Sequence, residues 1–258
     1  MQVNQIREKL KEIARQYPPE LVAAQMDDIS RIAFNITISI PIGKSVDEAS
    51  ICDIGGGIGL FSLGCAAIGF RKVFLVDDFA DQINKQLGTA IFDIHHRYGV
   101  EIISRDVVAA GLGNLGEPLD VITCFDSMEH WHRSPKKLFH ELIGSLKPAG
   151  RFVLGVPNCV NLRKRLTVPL GYGKWSAMQD WYEPENFRGH VREPDVQDLW
   201  HIAHDLALSN VRILGRNWLG LQSSRKPMRV MTNLLDPLMR FRPSLCSNIY
   251  LVGQKTHA

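Results

Sequence analysis

A run of glycines is the first feature of this 258-residue chain that is suited to chemistry. It follows a short apolar segment that ends at Ile54, and its members are Gly55, Gly56, Gly57 and Gly59. Glycine lets the backbone turn tightly and approach a ligand closely, because no Cβ atom intervenes. Backbone N–H groups at the start of the next helix favour a carboxylate or a phosphate. The glycines alone predict a site for NAD, FAD or S-adenosylmethionine without deciding among them.

Three acids near this loop separate these ligands. Asp53 lies two residues before the first glycine, and Leu60 stands where a dinucleotide loop has another glycine. Asp77 ends the next apolar segment and is placed to accept hydrogen bonds from ribose hydroxyls. Asp106 follows the third segment, where we expect it to face an adenine amino group. The loop and the acids together favour S-adenosylmethionine over a dinucleotide.

Two acids and a histidine end the fourth apolar segment, and they are Asp126, Glu129 and His130. Methyl transfer needs an acceptor oxygen or nitrogen about 3 Å from the methyl carbon and a group that removes its proton. His130 is the candidate base, since histidine exchanges protons near neutral pH. The alternative is that Glu129 and His130 orient the next helix and contact the cofactor without taking a proton.

Alternating strands and helices must position these residues. The pattern predicts strands over 50–54, 72–76, 100–104, 119–125, 151–156, 210–214 and 248–252. It predicts helices over 2–16, 20–32, 60–69, 80–98, 107–111, 134–146, 193–206 and 228–239. Such alternation is typical of an α/β fold with a mostly parallel sheet and helices on both faces. Ligands bind beyond the carboxyl ends of such strands, where the glycine loop and the acids lie.

The chain is predicted to be a single domain, 1–258, with three additions to its core. These are a helical addition over 1–47, an aromatic-rich cap insertion over 157–190 and a second insertion over 216–245. Long connections of this kind are usually functional. Residues 225–242 mix basic and apolar side chains, so we expect them to pack on the sheet, to join two copies as a homodimer, or to lie peripherally on a membrane.

Composition excludes several classes of protein. Five scattered cysteines without a C-x-x-C pair argue against a disulfide framework or a zinc knuckle and indicate a cytoplasmic protein. No apolar run approaches the ~18 residues that span a bilayer. A net charge of +3 is too small to indicate a nucleic-acid partner, so a small-molecule or glycan acceptor is the expected partner.

The order of these motifs resembles that of the class I S-adenosylmethionine-dependent methyltransferases, over roughly 48–156 and the final strands. The similar motifs are 53–59, Val76-Asp77, Arg105-Asp106-Val107, 120–130 and 146–154. The resemblance implies methyltransferase activity with S-adenosylmethionine as the cofactor. It also implies a Rossmann-like sheet of seven strands, of which the last is antiparallel.

The same resemblance implies cofactor-binding roles for residues outside the glycine loop, namely Asp53, Asp77, Asp78, Asp106, Val107, Phe125 and Asp126. Asp53 would lie near the methionine part of the cofactor, and Asp77 would bind the ribose. Asp106 and Val107 would flank the adenine. Asp78 stands where many relatives have a smaller or apolar residue, and it would share the ribose role.

Asp126-x-x-Glu129-His130 is similar to the metal-binding E-x-x-E-H cluster of ubiquinone-type O-methyltransferases and of small-RNA 3′-end methyltransferases. Both families add a later histidine, which His190 would supply. The resemblance implies a divalent ion on two carboxylates and two imidazoles, with His190 joining Glu129 and His130 in catalysis. Asp126 is shorter than the glutamate of those families. This alternative predicts a catechol-like ring or an RNA 3′ end as the acceptor.

Three further segments are similar to a methyltransferase branch that is often linked to polysaccharide and glycolipid assembly, and they are 156–158, 161–166 and 189–193. This similarity implies O-methylation of a hydroxyl of a glycan, glycolipid or related small molecule. Basic residues 163–165 would then pair with phosphates of the acceptor. A third alternative is a cofactor-binding partner protein without turnover.

Overall fold

A seven-stranded sheet forms the centre of the protein, whose computed structural model describes residues 2–80, 90–173, 176, 178–185, 187 and 189–256. The strands are β1 (Ser50–Ile54), β2 (Lys72–Asp77), β3 (Val100–Ser104), β4 (Leu119–Phe125), β5 (Leu146–Pro157), β6 (Ser209–Arg216) and β7 (Asn248–Gln254). Their spatial order is β3-β2-β1-β4-β5-β7-β6.

Strand pairing confirms the predicted topology. Strands β1 to β5 run parallel, whereas β7 runs antiparallel to both β5 and β6. The chain builds outward from β1 to β3 and then returns to place β4 on the other side of β1. The carboxyl ends of β1 and β4 therefore flank the point where the order reverses, which is where such sheets bind ligands.

Helices cover both faces of the sheet. In chain order they are α1 (Val3–Ala14), α2 (Pro19–Ser39), α3 (Leu60–Ala67), α4 (Ala90–Arg97), α5 (Val107–Ala110), α6 (Lys136–Ser145), α7 (Leu162–Thr167), α8 (Met178–Tyr182), α9 (Val196–Asp205), α10 (Trp218–Leu221) and α11 (Lys226–Met239). All five residues of β1 are buried, as expected for a strand covered on both sides.

The helical addition over 1–47 packs directly on the sheet core. Leu10 of α1 and Ile36 of α2 pack around Gly64 of α3, where an added Cβ would lie 2.7 Å and 2.6 Å from their side chains. Arg151 of β5 donates a hydrogen bond of 2.8 Å to the carbonyl of Ile38 at the end of α2. These contacts fix the position of α2, which reaches the carboxyl edge of β1 and β4.

Most element boundaries shift from the prediction by one to three residues, and three elements differ more. Helix α2 ends at Ser39 rather than at residue 32, because its buried residues Ala33 and Ile36 continue the apolar face. Strand β5 starts at Leu146, since the backbone of 149–150 pairs with Lys255. The helix predicted over 80–98 falls partly outside the described residues, and its described part is α4.

The two insertions flank the carboxyl edge of the sheet. The cap insertion contains α7 and α8 and exposes Leu170, Trp181 and Tyr182; Trp175 lies outside the described residues. The second insertion contains α10 and α11, and the apolar residues of α11 face solvent instead of packing on the sheet. None of the described helices is long and apolar enough to span a bilayer.

Candidate active site

The glycine loop joins β1 to α3 and has two residues in the left-handed region, Gly55 at φ +70° and Gly57 at φ +56°. A Cβ at Gly55 would lie 1.9 Å from Ser127 Oγ, and one at Gly56 would lie 2.2 Å from Asp53 Oδ2. Nothing lies within 4 Å of a Cβ built at Gly57. The loop is therefore packed from beneath and open above, as a cradle for a ligand requires.

Asp53 supports this loop from within the protein. Its carboxylate accepts hydrogen bonds from Thr123 Oγ1 at 2.9 Å and from Ser62 Oγ at 3.2 Å. Burial raises the pKa of Asp53 to about 7, although the two hydroxyl groups lower it. Asp53 is also among the residues that line the cavity above the loop, and its contact with the methionine part of the cofactor stays a prediction.

Asp77 holds the loop from the side. Its carboxylate accepts the N–H groups of Gly57 at 2.9 Å and Phe79 at 2.7 Å, and burial raises its pKa. A carboxylate oxygen can accept two hydrogen bonds, and each Asp77 oxygen accepts one of the two N–H groups. Each oxygen could therefore accept a further hydrogen bond from a ribose hydroxyl. Its neighbour Asp78 is exposed and accepts the N–H of Ala80 at 2.9 Å.

The predicted adenine residues have structural roles in the described protein. Asp106 is the N-cap of α5 and accepts the N–H of Ala109 at 3.0 Å. Val107 is buried in the hydrophobic core. Neither residue belongs to the described wall of the cavity above the glycine loop.

A first cavity of about 300 Å³ opens above the loop. It is lined by Gln25, Asp28, Arg31, Ile32, Asn35, Asp53, Phe61, Phe125, Asp126 and residues 55–60. The Phe125 ring contributes an aromatic wall and packs edge-on against Phe61 with ring centres 5.0 Å apart. Open glycine backbone and an apolar wall fit an adenosine ligand with a charged amino-acid end. Asp77 holds the loop but does not belong to the described wall of this cavity, so its ribose contact stays a prediction.

A second cavity of about 330 Å³ adjoins the first and shares Arg31 and Asp126 with it. Its other lining residues are Glu129, His130, Pro157, Asn158, Asn161, Arg163, Lys164, His190, Glu193, Trp218, Leu219, Gln222, Ser247 and Asn248. Arg31 forms ion pairs with both Asp28 and Asp126. Asp126 adopts φ +47°, a conformation that aspartate tolerates better than most residues.

Glu129 is the most unusual group of the second cavity. Its side chain is only 1% exposed, and its Oε2 atom has no hydrogen-bond partner among the described residues. Burial and the nearby carboxylate of Asp126 raise the pKa of Glu129 to about 8. The backbone carbonyl of Glu129 accepts the N–H of Val191 at 2.7 Å, which ties the end of the cap insertion to this site.

Two histidine rings lie beside Glu129. The rings of His130 and His190 meet edge to face with centres 4.8 Å apart. His190 Nδ1 lies 2.7 Å from Glu193 Oε1, and this hydrogen bond raises the pKa of His190. Glu193 also pairs with Lys164; burial would raise its pKa, but His190 and Lys164 lower it to about 2.

The structure brings together three of the four side chains considered for a metal. One donor atom each from Glu129, His130 and His190 lie within 4.8 Å of one another. Asp126 does not belong to this group, because Arg31 of α2 binds its carboxylate. The sequence pattern contained no sign of this arginine as a competing partner.

The basic residues 163–165 do not act together. Lys164 pairs with Glu193, and Arg165 donates to the carbonyls of Val160 at 2.6 Å and Ser244 at 3.2 Å. Arg163 and Lys164 line the second cavity, and Arg165 does not belong to its described wall. The cavity therefore gains less positive charge than the sequence predicted.

Sequence reasoning missed the contributions of α2 and α10 to the site. Asp28 and Arg31 lie three residues apart on α2, a spacing that places two charges on one helical face. Gln222 donates to Asp28 Oδ1 at 2.7 Å, and Trp218 Nε1 donates to Tyr250 Oη at 2.8 Å. The charge pair was the available signal; nothing in the sequence marked the other contacts.

Comparison with known proteins agrees with this geometry. Residues 14–213 match the sequence model of a family described as methyltransferase domain. No curated protein sequence matches the chain significantly. Solved structures with a similar fold are numerous, and each one compared below is distant in sequence.

Three such structures illustrate the likeness. A SAM-dependent methyltransferase of Archaeoglobus fulgidus is 17% identical with a TM-score of 0.52, over 88% of this chain and 92% of that one. The N-methyltransferase NodS of Bradyrhizobium japonicum is 11% identical with a TM-score of 0.50, over 90% and 97%. Magnesium protoporphyrin IX methyltransferase of Synechocystis, with bound SAH, is 16% identical with a TM-score of 0.50, over 99% and 89%.

These likenesses confirm the fold, and the family match extends over most of the chain. The similarity to the polysaccharide and glycolipid branch stays a prediction. The protein belongs to the methyltransferase domain family and is an enzyme of the class I type that uses S-adenosylmethionine.

Proposed function

We propose that this enzyme O-methylates a hydroxyl of a glycan, glycolipid or related small molecule that binds in the second cavity. The observation that carries the proposal is the adjacency of the two cavities, which share Arg31 and Asp126. The wall of the second cavity also holds Glu129, His130 and His190, and Glu129 lies near the shared Asp126. A hydroxyl placed there would lie between the methyl donor and three groups that exchange protons.

The raised pKa values of Glu129 and His190 assign roles to these two groups. Glu129, with a pKa of about 8, is mainly neutral at pH 7 and can donate a hydrogen bond through its carboxyl group. His190 favours its charged form because its Nδ1–H group donates a hydrogen bond to the carboxylate of Glu193. His130 is then the group that takes the proton of the acceptor hydroxyl as its oxygen bonds to the methyl group. S-adenosylmethionine supplies that methyl group from a positively charged sulfur and leaves as S-adenosylhomocysteine.

The rest of the second cavity suits an acceptor rich in hydroxyl groups. Asn248 contributes an amide group to its wall, whereas the amides of Asn158, Asn161 and Gln222 hydrogen-bond within the protein. Arg163 adds a cation that suits a phosphate on a lipid-linked or nucleotide-linked sugar. The cap beside it exposes aromatic rings that can stack on sugar faces.

The test combines calorimetry with a methyl-transfer assay on glycosides, glycolipids and catechols. We expect S-adenosylhomocysteine to bind the wild type and His130→Ala equally. We expect the variant to lose roughly 10²- to 10⁴-fold in methyl transfer to a glycoside or glycolipid, the range for a lost general base. Absence of any cofactor binding to the wild type would refute the cofactor assignment. Normal turnover by His130→Ala would refute only the role of this histidine.

A second candidate is a metal-dependent O-methyltransferase of a catechol-like ring or an RNA 3′ end. It is favoured by the cluster of Glu129, His130 and His190 and by the unpartnered Oε2 atom of Glu129. One carboxylate and two imidazoles would leave positions on a divalent ion for two neighbouring hydroxyls, whose acidity the ion would increase.

Calorimetry with Mg²⁺, Mn²⁺ and Zn²⁺ tests this candidate apart from turnover. Binding that His190→Ala abolishes, together with activity lost on chelation and restored by the ion, would support it. Activity that is insensitive to chelators and to His190→Ala would eliminate it and leave the metal-free reaction.

A further inference from the structure

Helix α11 presents its apolar face to solvent. Leu234, Leu238 and Phe241 just beyond the helix are 76%, 69% and 88% exposed. Other exposed apolar residues on the same segment are Met228, Val230, Met231 and Leu235. At 100° per residue, these side chains occupy one continuous half of the helix.

The side of α11 that faces the protein is polar. Asp236 is buried and forms an ion pair with Arg240. Its Oδ1 atom accepts a hydrogen bond of 2.9 Å from Asn217 Nδ2. Thr232 packs against Gly220 of α10, where a Cβ would meet Thr232 Oγ1 at 2.2 Å. The helix is thus fixed by polar contacts at its back, and its outward apolar face is a stable feature of the fold.

The charge of this segment restricts what can cover the apolar face. Residues 225–242 contain five basic side chains and a single acid, Asp236, and so carry a net charge of +4. The basic residues are Arg225, Lys226, Arg229, Arg240 and Arg242. The acid is buried and paired, so the exposed charge is positive. Two copies of this helix would bring like charges together, whereas an anionic partner would neutralise them.

We propose that α11 lies flat on the surface of a bilayer that contains anionic phospholipids. The apolar side chains enter the boundary between headgroups and acyl chains, and the basic side chains other than Arg240, which pairs with Asp236, contact lipid phosphates. This inference goes beyond the proposed function and is independent of the acceptor that the enzyme methylates.

Membrane docking would place the second cavity near the lipid surface. Helix α10 connects the two, because Leu219 and Gln222 line the cavity while Gly220 packs on α11. The cap, which forms another part of the cavity wall, also exposes Leu166, Leu170, Trp181 and Tyr182. An enzyme held in this way could take an acceptor with a lipid tail directly from the bilayer.

Co-sedimentation of the full chain with vesicles tests the proposal. We expect the wild type to bind vesicles of phosphatidylcholine and phosphatidylglycerol in equal parts at low salt, and to bind phosphatidylcholine alone at least about tenfold more weakly. Leu234→Glu/Leu238→Glu should lose at least about tenfold in binding to the mixed vesicles.

The matched control is Ile42→Glu, which changes another exposed apolar residue in the loop after α2. It should bind vesicles like the wild type, and all three proteins should bind S-adenosylhomocysteine equally, which shows that they are folded. Wild type that stays in solution with both vesicles, or a double variant that binds like the wild type, would overturn the proposal. So would a dimer in sedimentation velocity that Leu234→Glu/Leu238→Glu dissociates, since a second copy would then cover the face.

Discussion

The cavity above the glycine loop and the cavity beside Glu129 differ in the residues that line them. Eight of the fifteen described residues that line the first lie in the stretch 53–61, which presents glycine backbone, and five others lie on α2. The second is assembled from side chains that range from Arg31 to Asn248 along the chain. The glycine backbone lines only the first of these cavities, whereas the described cluster of Glu129, His130 and His190 lines the second. Under the proposed function, acceptor specificity depends on the second cavity.

Two buried carboxyl groups show the contrast most clearly. Asp53 under the first cavity receives hydrogen bonds from two hydroxyl groups, so its role is complete without a ligand. Glu129 at the second cavity has an oxygen without a partner among the described residues. A buried polar atom in that state is costly and commonly marks a site where a proton or a ligand binds.

The largest expected effect concerns stability against pH in Glu129→Gln. The pKa of Glu129 rises from its ordinary 4.5 to about 8 on folding, so the folded protein retains a proton that the unfolded chain releases. Wild-type stability therefore falls as pH rises from about 4.5 to about 8, and glutamine removes this loss. Between about pH 5 and pH 9, the free energy of unfolding of the variant should increase by about 4 kcal/mol relative to that of the wild type. Urea unfolding at each pH measures this difference.

Asp53→Asn is the matched variant on the donor side. In the wild type, folding raises the pKa of Asp53 to about 7, so wild-type stability again falls as pH rises, and this fall is complete about one pH unit lower than for Glu129. Relative to the wild type, the free energy of unfolding of Asp53→Asn should therefore increase by only about 3 kcal/mol over the same pH range. Parallel stability curves for wild type and Glu129→Gln would mean that Glu129 ionises freely, and the contrast between the two acids would then disappear.

Asp77→Ala should have the next largest effect, and on the donor cavity alone. The change removes the acceptor of the Gly57 N–H and the group expected to bind the ribose. Two hydrogen bonds to a charged group correspond to about 3 kcal/mol, so calorimetry should find S-adenosylhomocysteine bound about 100-fold more weakly.

Asp78→Ala is the control for this change, because Asp78 is exposed and accepts the N–H of Ala80, although its carboxyl group also interacts with that of Asp77. A loss below about threefold is expected for it. Equal losses in the two variants would show that the acids share the ribose, and unchanged binding to Asp77→Ala would break the assignment of this cavity.

The donor side was predictable because local sequence determines it. An apolar strand, a glycine turn and an acid after the next strand appear as short patterns, and the parallel order of β1, β2 and β4 follows from alternation. The predicted adenine contacts of Asp106 and Val107 stay a prediction, because structural roles also account for both positions. Asp106 has the capping role that its position before a helix also allows, and Val107 joins the core.

The acceptor side was predictable only where sequence neighbours remain neighbours in space. Glu129 and His130 are adjacent in the chain, and His190 reaches them through the backbone contact between Glu129 and Val191. Arg31, Trp218 and Gln222 arrive from remote elements, and contacts of that kind leave no periodic signal. The outward apolar face of α11 was also unpredictable, because periodicity reveals a face without revealing what it faces.

Arg31 lines both cavities. Arg31→Met leaves Asp126 without its cation, and both side chains are partly exposed, so the expected cost is about 1 to 2 kcal/mol. KM should rise for the methyl donor and for the acceptor together. Adding Asp126→Asn, which suits the left-handed backbone there, should recover part of the loss. A change in only one KM would assign Arg31 to a single cavity.

Trp218→Phe should have the smallest effect and reports whether the two cavities are coupled. The indole of Trp218 lines the second cavity and donates to Tyr250 Oη, while the Tyr250 ring packs at 6.2 Å on Phe125 of the first cavity. Losing this buried hydrogen bond should cost about 1 kcal/mol, or about 2 to 4 °C in Tm. Affinity for S-adenosylhomocysteine should stay within about twofold, because Phe61 still supports Phe125 at 5.0 Å. A tenfold or larger loss of affinity would mean that Tyr250 transmits changes from the acceptor side to the donor side, and the two cavities would then act as one unit.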